Sequence, residues 1–174
     1  MVIYAIISIP IALALYMTLR GVNQSFTALY LALSLTGVIA FIVARPAFEM
    51  LHLSNGYAAA TTEAQKSMFL AAGQTLVATF HGTAFHVSYI LGSLSGLIIS
   101  LVMLKSKIFS RATATVRIVS SVCDFGLYLP GIGIYISIFS VLFLFIWDIL
   151  IARRLFQLGQ TSRKRELGFA GVLE

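Results

Sequence analysis

The sequence predicts an all-α fold, a polytopic bundle of transmembrane helices without a separate soluble domain. Hydrophobic residues make up 59% of the 174 residues and charged residues only 10%, which leaves too little polar surface for a water-soluble domain. A helix needs about 20 mostly apolar residues to cross roughly 30 Å of hydrocarbon, and five stretches approach that length. The predicted spans are residues 2–19, 26–44, 84–104, 112–129 and 134–152 of a single membrane domain.

The first two spans each end at an arginine. Span 1 ends before Arg20, and span 2 ends before Arg45-Pro46, because the residue before a proline is disfavoured in the helical region. Span 1 lacks the basic start and the small-residue cleavage site of a secretory signal, so we expect it to remain in the mature chain.

Residues 46–83 are the longest stretch between two spans. Pro46 suits the first turn of a short helix that continues to Leu53, and Ser54-Asn55-Gly56 is expected to end that helix. We expect this helix to lie at the membrane interface, because it is too short to cross the bilayer.

A second helix before span 3 is predicted from a capping-box pattern. Thr62 and Gln65 have the required spacing, and Glu63 falls in the first turn, where the helix dipole favours a negative charge. An unbroken helix from Glu63 to Leu104 would be about 63 Å long, twice the hydrocarbon thickness. The stretch must therefore either bend or stand well out of the membrane, and we favour a bend at Gly82, with an interfacial or partial helix before it.

Spans 4 and 5 are predicted to form a helical hairpin. Span 4 is the least apolar of the five because it carries Arg117 and Asp124. The turn Pro130-Gly131-Ile132-Gly133 is too short to hold anything but a hairpin connection. Span 5 ends before Arg153-Arg154, where a short basic tail, residues 153–174, is predicted to begin.

The positive charges predict the orientation of the chain, because cytoplasmic loops are enriched in Lys and Arg. Of the 12 such residues, nine are cytoplasmic if the N-terminus lies outside, Arg45 and Lys66 are outside, and Arg117 is within the membrane. The nine are Arg20, Lys105, Lys107, Arg111, Arg153, Arg154, Arg163, Lys164 and Arg165. The net charge of +6 is thus explained by topology and by attraction to the lipid bilayer, and nucleic acid is not expected as a partner.

Small residues recur at every fourth position of two spans. Span 3 carries Ser88, Gly92, Gly96 and Ser100, and span 2 carries Ala28, Ala32, Thr36, Ala40 and Ala44. Such stripes let helix backbones approach closely in lipid. The favoured interpretation is that the two spans pack on each other. The alternative is that the glycine face docks a second copy of the chain or another membrane protein.

Two charged residues within the predicted spans are candidates for an intramembrane ion pair. A charge inside a span costs roughly 2.5–3.5 kcal/mol on insertion scales, so it needs a partner or a wet cavity. In the predicted hairpin Arg117 falls opposite residue 146, within a turn of Asp148. The alternative is that Arg117 extends to the interface, while Asp148 meets Arg153 or water.

A candidate polar pocket facing outward is predicted around His81, His86 and Asp124. Asp124 lies in the outer half of span 4, and the two histidines reach the membrane from the same side. Further lining residues are Ser88, Tyr89, Glu49 and His52. A hydrogen-bonded contact between helices is the simpler interpretation of Asp124, and a proton or substrate role is the alternative.

Neither a metal site nor a cofactor site is predicted, and the case for an enzyme is weak. His81 and His86 are five residues apart, so they diverge by about 140° on a regular helix. Ser93-Leu94-Ser95-Gly96 approaches the Gly-x-Ser-Gly of rhomboid intramembrane proteases, but the first glycine is missing. The sequence therefore assigns no catalytic residue.

Three runs carry a family resemblance: RPAFEMLHLS at 45–54, ATFHGTAF at 78–85 and LPGIGIY at 129–135. With them the chain resembles, over most of its length, the bacterial multi-pass membrane proteins catalogued as domain of unknown function 4386. The resemblance implies a bacterial inner-membrane protein and supplies no catalytic residues. It also implies one more helix before Val2, six in all with both ends inside, and this chain departs from that pattern.

Two functional hypotheses follow from the sequence. The leading one is an integral membrane protein that binds a small molecule or a lipid in the outward-facing polar pocket. The alternative is a structural or accessory membrane subunit that docks a partner through its small-residue helix faces. Both place the chain in the cell membrane, with the N-terminus outside and the C-terminus in the cytoplasm.

Overall fold

The computed structural model describes the backbone of residues 2–170 and the side chains of residues 3–161. The described residues form seven α-helices and one 3₁₀ turn, and no strand, which confirms the all-α class. In chain order they are α1 Val2–Leu19, α2 Gln24–Val43, α3 Ala47–Ala59, α4 Glu63–Phe80, α5 Thr83–Lys105, α6 Arg111–Phe125, the 3₁₀ turn Gly126–Tyr128, and α7 Gly133–Ala170.

Three helical stretches of the described chain are long and apolar enough to cross a membrane. They are Gln24–Ala59, Glu63–Lys105 and Gly133–Thr161, and Ile3–Leu19 is a shorter apolar helix. The helix α6 has only 15 residues, and nearly half of them are polar. Length and composition thus show membrane-type helices, three by this criterion where five spans were predicted.

The chain divides into two compact units according to its internal contacts. Unit 1 comprises Met1–Leu13 and Leu31–Gly92, and unit 2 comprises Ala14–Tyr30 and Ser93–Glu174. Unit 1 therefore holds α3, α4, most of α2 and the first part of α5. Unit 2 holds the remainder of α5 together with α6 and α7.

The start of α4 in unit 1 confirms the predicted capping box. The Thr62 hydroxyl oxygen accepts a hydrogen bond from the Gln65 backbone N–H at 3.2 Å. The Gln65 side chain reaches back and accepts from the Thr61 N–H, also at 3.2 Å, one residue earlier than the standard pattern. Glu63 lies in the first turn and pairs with Lys66 at 3.0 Å.

The predicted end of α3 at Ser54-Asn55-Gly56 is wrong, since the helix continues to Ala59. The reason is a tertiary contact. A Cβ atom at Gly56 would lie 2.5 Å from Cε1 of the Phe69 ring. Gly56 therefore allows α4 to approach α3, and its local tendency to end a helix is overridden by this packing.

The predicted interruption at Gly82 is confirmed. The helix α4 ends at Phe80 and α5 begins at Thr83. The Gly82 N–H donates to the Thr79 carbonyl at 3.0 Å, in a tighter turn than the α-helix uses. The long apolar stretch is therefore divided near the position that its excess length required.

In unit 2, α6 and α7 form the predicted hairpin. Gly131 has a φ of +82°, in the left-handed region that favours glycine. A Cβ at Gly133 would lie 2.5 Å from the Gly126 carbonyl oxygen, so the turn needs glycine there for space as well. The helix α6 ends at Phe125, four residues before the predicted end of span 4, because the 3₁₀ turn follows it.

The helix α7 continues beyond the predicted end of span 5. It includes Arg153-Arg154 and extends to Ala170, so most of the predicted basic tail is helical. The side chains of Arg163, Lys164 and Arg165, which contribute to the predicted charge asymmetry, lie outside the described residues, as do residues 171–174.

Candidate functional site

The two helices α3 and α4 pack against each other in antiparallel directions. Gly56 meets Phe69 near the connecting loop, and Leu53 and Ala72 face the same cleft one turn further away. At the opposite end, Arg45, just before α3, lies over the ring of Phe80. Contacting residues thus step backward along one helix as they step forward along the other.

A cleft of about 600 Å³ opens between α3 and α4. Its lining combines four residues with apolar side chains and three with polar ones. They are Phe48, Leu53, Ala72 and Leu76, and Glu49, His52 and Thr75. The Phe69–Gly56 contact lies next to it on the side of the connecting loop, and neither helix contains a fully buried residue. The cleft is therefore open and amphiphilic.

Two polar side chains of the cleft are available to a ligand. Glu49 and His52 are three residues apart on α3, so they lie on the same face of the helix. Neither side chain has a hydrogen bond or an ion pair with any residue in the described part of the chain. Thr75 donates its hydroxyl hydrogen to the Ala71 carbonyl at 3.0 Å and keeps its oxygen as an acceptor.

Arg45 lies between two aromatic rings beside this cleft. Its guanidinium carbon is 4.2 Å from the centre of the Phe41 ring and 4.8 Å from that of Phe80. The Nε atom is buried and has no hydrogen-bond partner among the residues described. Sequence reasoning treated Arg45 only as a helix end and a topology charge. Phe41 is one turn earlier in the chain, but nothing local indicates Phe80.

The predicted pocket residues belong to different units. His81 and His86 are exposed side chains of unit 1, and Asp124 belongs to unit 2. The His81 Nδ1 atom is 3.0 Å from the Val77 carbonyl oxygen, and the ring meets Phe80 edge-on. Within the described residues no group of three potential metal ligands occurs.

Asp124 connects three helices within unit 2. Its Oδ2 accepts a hydrogen bond from the Ser93 hydroxyl of α5 at 3.1 Å, and its Oδ1 accepts from the Ser140 hydroxyl of α7 at 2.5 Å. Ser120 of α6 donates to the Ser140 carbonyl at 3.0 Å. These hydrogen bonds thus support the interpretation that Asp124 makes a contact between helices.

Arg117 belongs to the same polar core of unit 2. It is only 9% exposed, donates to the Ser120 hydroxyl at 3.3 Å and lies 5.2 Å from the centre of the Trp147 ring. Trp147 precedes Asp148 on α7, so Arg117 meets α7 at about the predicted position. The ion pair with Asp148 stays a prediction.

The small-residue stripe of α5 has two different neighbours. In unit 1, a Cβ at Gly37 of α2 would lie 3.5 Å from the Ser88 carbonyl oxygen and 3.5 Å from the Gly92 nitrogen. In unit 2, a Cβ at Gly96 would lie 2.5 Å from both Arg117 Nη2 and Ser121 Oγ. Ser100 donates to the Gly96 carbonyl at 2.7 Å. The contact with α2 is thus made at Gly37, outside the predicted stripe of α2, and the sequence missed the role of Gly96 in making room for Arg117.

Comparison with known proteins gives one result. Neither a search of curated proteins nor a search of solved structures finds a match. A family model described as Domain of unknown function (DUF4386) matches residues 1–152, in agreement with the resemblance seen in the sequence. The chain therefore belongs to the family of domain of unknown function 4386.

Proposed function

We propose that this protein crosses the bacterial inner membrane five times, with the N-terminus outside and the C-terminus in the cytoplasm. The three long apolar helices supply three crossings, α1 a fourth, and α6 with its 3₁₀ turn the fifth. The charge asymmetry of the loops supports this orientation. It places the connection between α2 and α5, and with it the α3–α4 cleft, on the outer side.

We propose further that the protein binds a small amphiphilic molecule in the α3–α4 cleft. The observation that carries this proposal is the lining of the cleft, which offers apolar side chains beside Glu49 and His52, neither of which has a partner among the described residues. Ligand sites of 300–1,000 Å³ typically combine an apolar lining with a few polar groups, and this cleft does so. This site differs from the predicted pocket of His81, His86 and Asp124, which stays a prediction, and all of its lining residues belong to unit 1.

The apolar surface around the cleft fits an amphiphile. Phe48 is 81% exposed, and Leu51 and Met68 are also exposed on the same two helices. Exposed apolar side chains of this size are stable where lipid rather than water covers them. A ligand that arrives through the membrane would therefore reach the cleft without crossing water.

The test is native mass spectrometry of the purified protein with a monoacylglycerol as probe. Ala72→Phe would fill the cleft, while Ala71→Phe adds the same ring at the neighbouring exposed position outside it. We expect the parent and Ala71→Phe to retain the probe equally and Ala72→Phe to lose it. Equal retention by Ala72→Phe would contradict the proposed site.

A further inference from the structure

Arg45 presents a fixed set of hydrogen-bond donors at the open end of the α3–α4 hairpin. Its guanidinium lies between the Phe41 and Phe80 rings, at 4.2 and 4.8 Å. Stacking of this kind holds the plane of the guanidinium and favours its positive charge. An arginine held in this way loses little further side-chain freedom when it binds an anion.

The described chain supplies no anion for Arg45. Neither an ion pair nor a hydrogen bond connects its side chain to any described residue, and its Nε is buried. Glu49 follows one turn later, but no ion pair joins its carboxylate to Arg45 in the described structure. A partly buried guanidinium without a counter-charge is costly, and an external anion would relieve that cost.

The surroundings of Arg45 indicate an anion that carries an apolar part. Val43 is 69% exposed two residues before Arg45, and Phe48 is exposed three residues after it. Arg45 itself stands at the end of the apolar helix α2, where a membrane-spanning helix reaches the headgroup region. A phospholipid combines a phosphate at this depth with acyl chains below it.

We propose that Arg45 binds the phosphate of a phospholipid-like molecule whose acyl chain occupies the α3–α4 cleft. This inference rests on the proposed function and defines the chemical class of its ligand. Guanidinium and phosphate match geometrically, because two parallel N–H groups meet two phosphate oxygens. The Glu49 carboxylate in the cleft disfavours a second negative charge there, so the phosphate lies at the Arg45 end.

The test compares two probes that share one acyl chain, lysophosphatidic acid and the matching monoacylglycerol. Native mass spectrometry measures the retention of each by the parent, Arg45→Gln and Lys66→Gln. Lys66 is the other basic residue on the proposed outer side and already pairs with Glu63. We expect the parent and Lys66→Gln to prefer the phosphate probe by roughly tenfold, the value of one charge-assisted hydrogen bond. Arg45→Gln should lose this preference and still retain monoacylglycerol.

The outcomes separate the two proposals. If Arg45→Gln keeps the preference for phosphate, the role of Arg45 is wrong, while retention of monoacylglycerol that is abolished by Ala72→Phe still supports the cleft. If the parent retains neither probe, both proposals fail. Displacement of the phosphate probe by equimolar inorganic phosphate would show that Arg45 recognises free phosphate, and the assignment to a lipid would be wrong. Melting temperatures of the variants in detergent confirm that each one is folded.

Discussion

At the scale of single residues, two glycines one turn apart on α5 have different roles. A Cβ at Gly92 would meet no heavy atom of the described chain within 4 Å, whereas one at Gly96 would collide with Arg117 and Ser121. The sequence showed both as members of one stripe, because a four-residue spacing identifies a helix face and not what covers it.

The capping of α4 by Thr62 was predictable, since all its partners are local. The position of Arg45 against Phe80 was not, because 35 residues separate them.

Gly96→Ala should destabilise the protein, while Gly92→Ala should be tolerated. The added methyl group at Gly96 would require Arg117 and Ser121 to move, and overpacking of this kind costs about 1–3 kcal/mol. The melting temperature in detergent measures the difference. Equal melting temperatures of both variants would show that the Arg117 side chain can adopt another position that accommodates the added methyl group.

Asp124→Leu should lower the melting temperature more than Asp124→Asn. Leucine removes the acceptor for the Ser93 and Ser140 hydroxyls, each nearly inaccessible to solvent, whereas asparagine keeps one carbonyl oxygen. Each donor that loses its partner costs about 1–3 kcal/mol, and the loss at Ser140 is reduced because its hydroxyl also reaches the Ser137 carbonyl. Asp148→Asn, close to the predicted cytoplasmic end, should be tolerated. If leucine at 124 is as stable as aspartate, the hydrogen bonds of Asp124 do not hold the three helices together.

At the scale of helices, length and caps were better guides than residue propensities. The excess length of residues 63–104 required an interruption, and it lies at His81-Gly82. Ser54-Asn55-Gly56 has the composition of a helix end, yet α3 continues through it because Phe69 fills the space above Gly56. No local pattern contains that information, since the contact depends on the partner helix.

Gly56→Leu should disrupt the α3–α4 hairpin, and Phe69→Ala should restore it in the double variant. Leucine at 56 would overlap the Phe69 ring, and removal of the ring opens the space it needs. Gly73→Leu is the matched control on α4, because a Cβ there would meet nothing within 4 Å in the described structure. Melting temperatures of the four variants test the coupling, and additive effects would argue against the contact.

At the scale of the whole molecule, composition was sufficient for the class but not for the number of crossings. Three helices meet a length and hydropathy criterion, while α6 does not, because it has only 15 residues and its buried face carries Arg117, Ser120 and Ser121. A window average treats such residues as unfavourable, although neighbouring helices satisfy part of their hydrogen bonding. Of the residues that line the cleft, the sequence analysis named only Glu49 and His52 as lining, and of a different pocket, because the grouping of the others depends on how α3 and α4 pair.

The proposed orientation predicts which cysteines react with an impermeant thiol reagent in intact cells. In a Cys123→Ser background, Asn55→Cys on α3 should be labelled and Lys107→Cys between α5 and α6 should be protected. Both positions are exposed, so access through the membrane decides the result. Labelling of Lys107→Cys alone would show that the orientation is the reverse of the proposed one. Permeabilised cells provide the control in which both cysteines react.

The polar face of α6 has a consequence for how the chain enters the membrane during synthesis. A segment of 15 residues with two arginines and an aspartate is a poor substrate for insertion on its own. Ser93 of α5 is already present for one oxygen of Asp124, but the Ser120 hydroxyl and the other oxygen of Asp124 find their partner, Ser140, only after α7 has been made. We therefore expect α6 to wait at the translocation machinery and to enter the bilayer together with α7 as one hairpin. A nascent chain truncated after Gly131 should leave α6 accessible to protease, and protection of that truncated chain would show that α6 inserts alone.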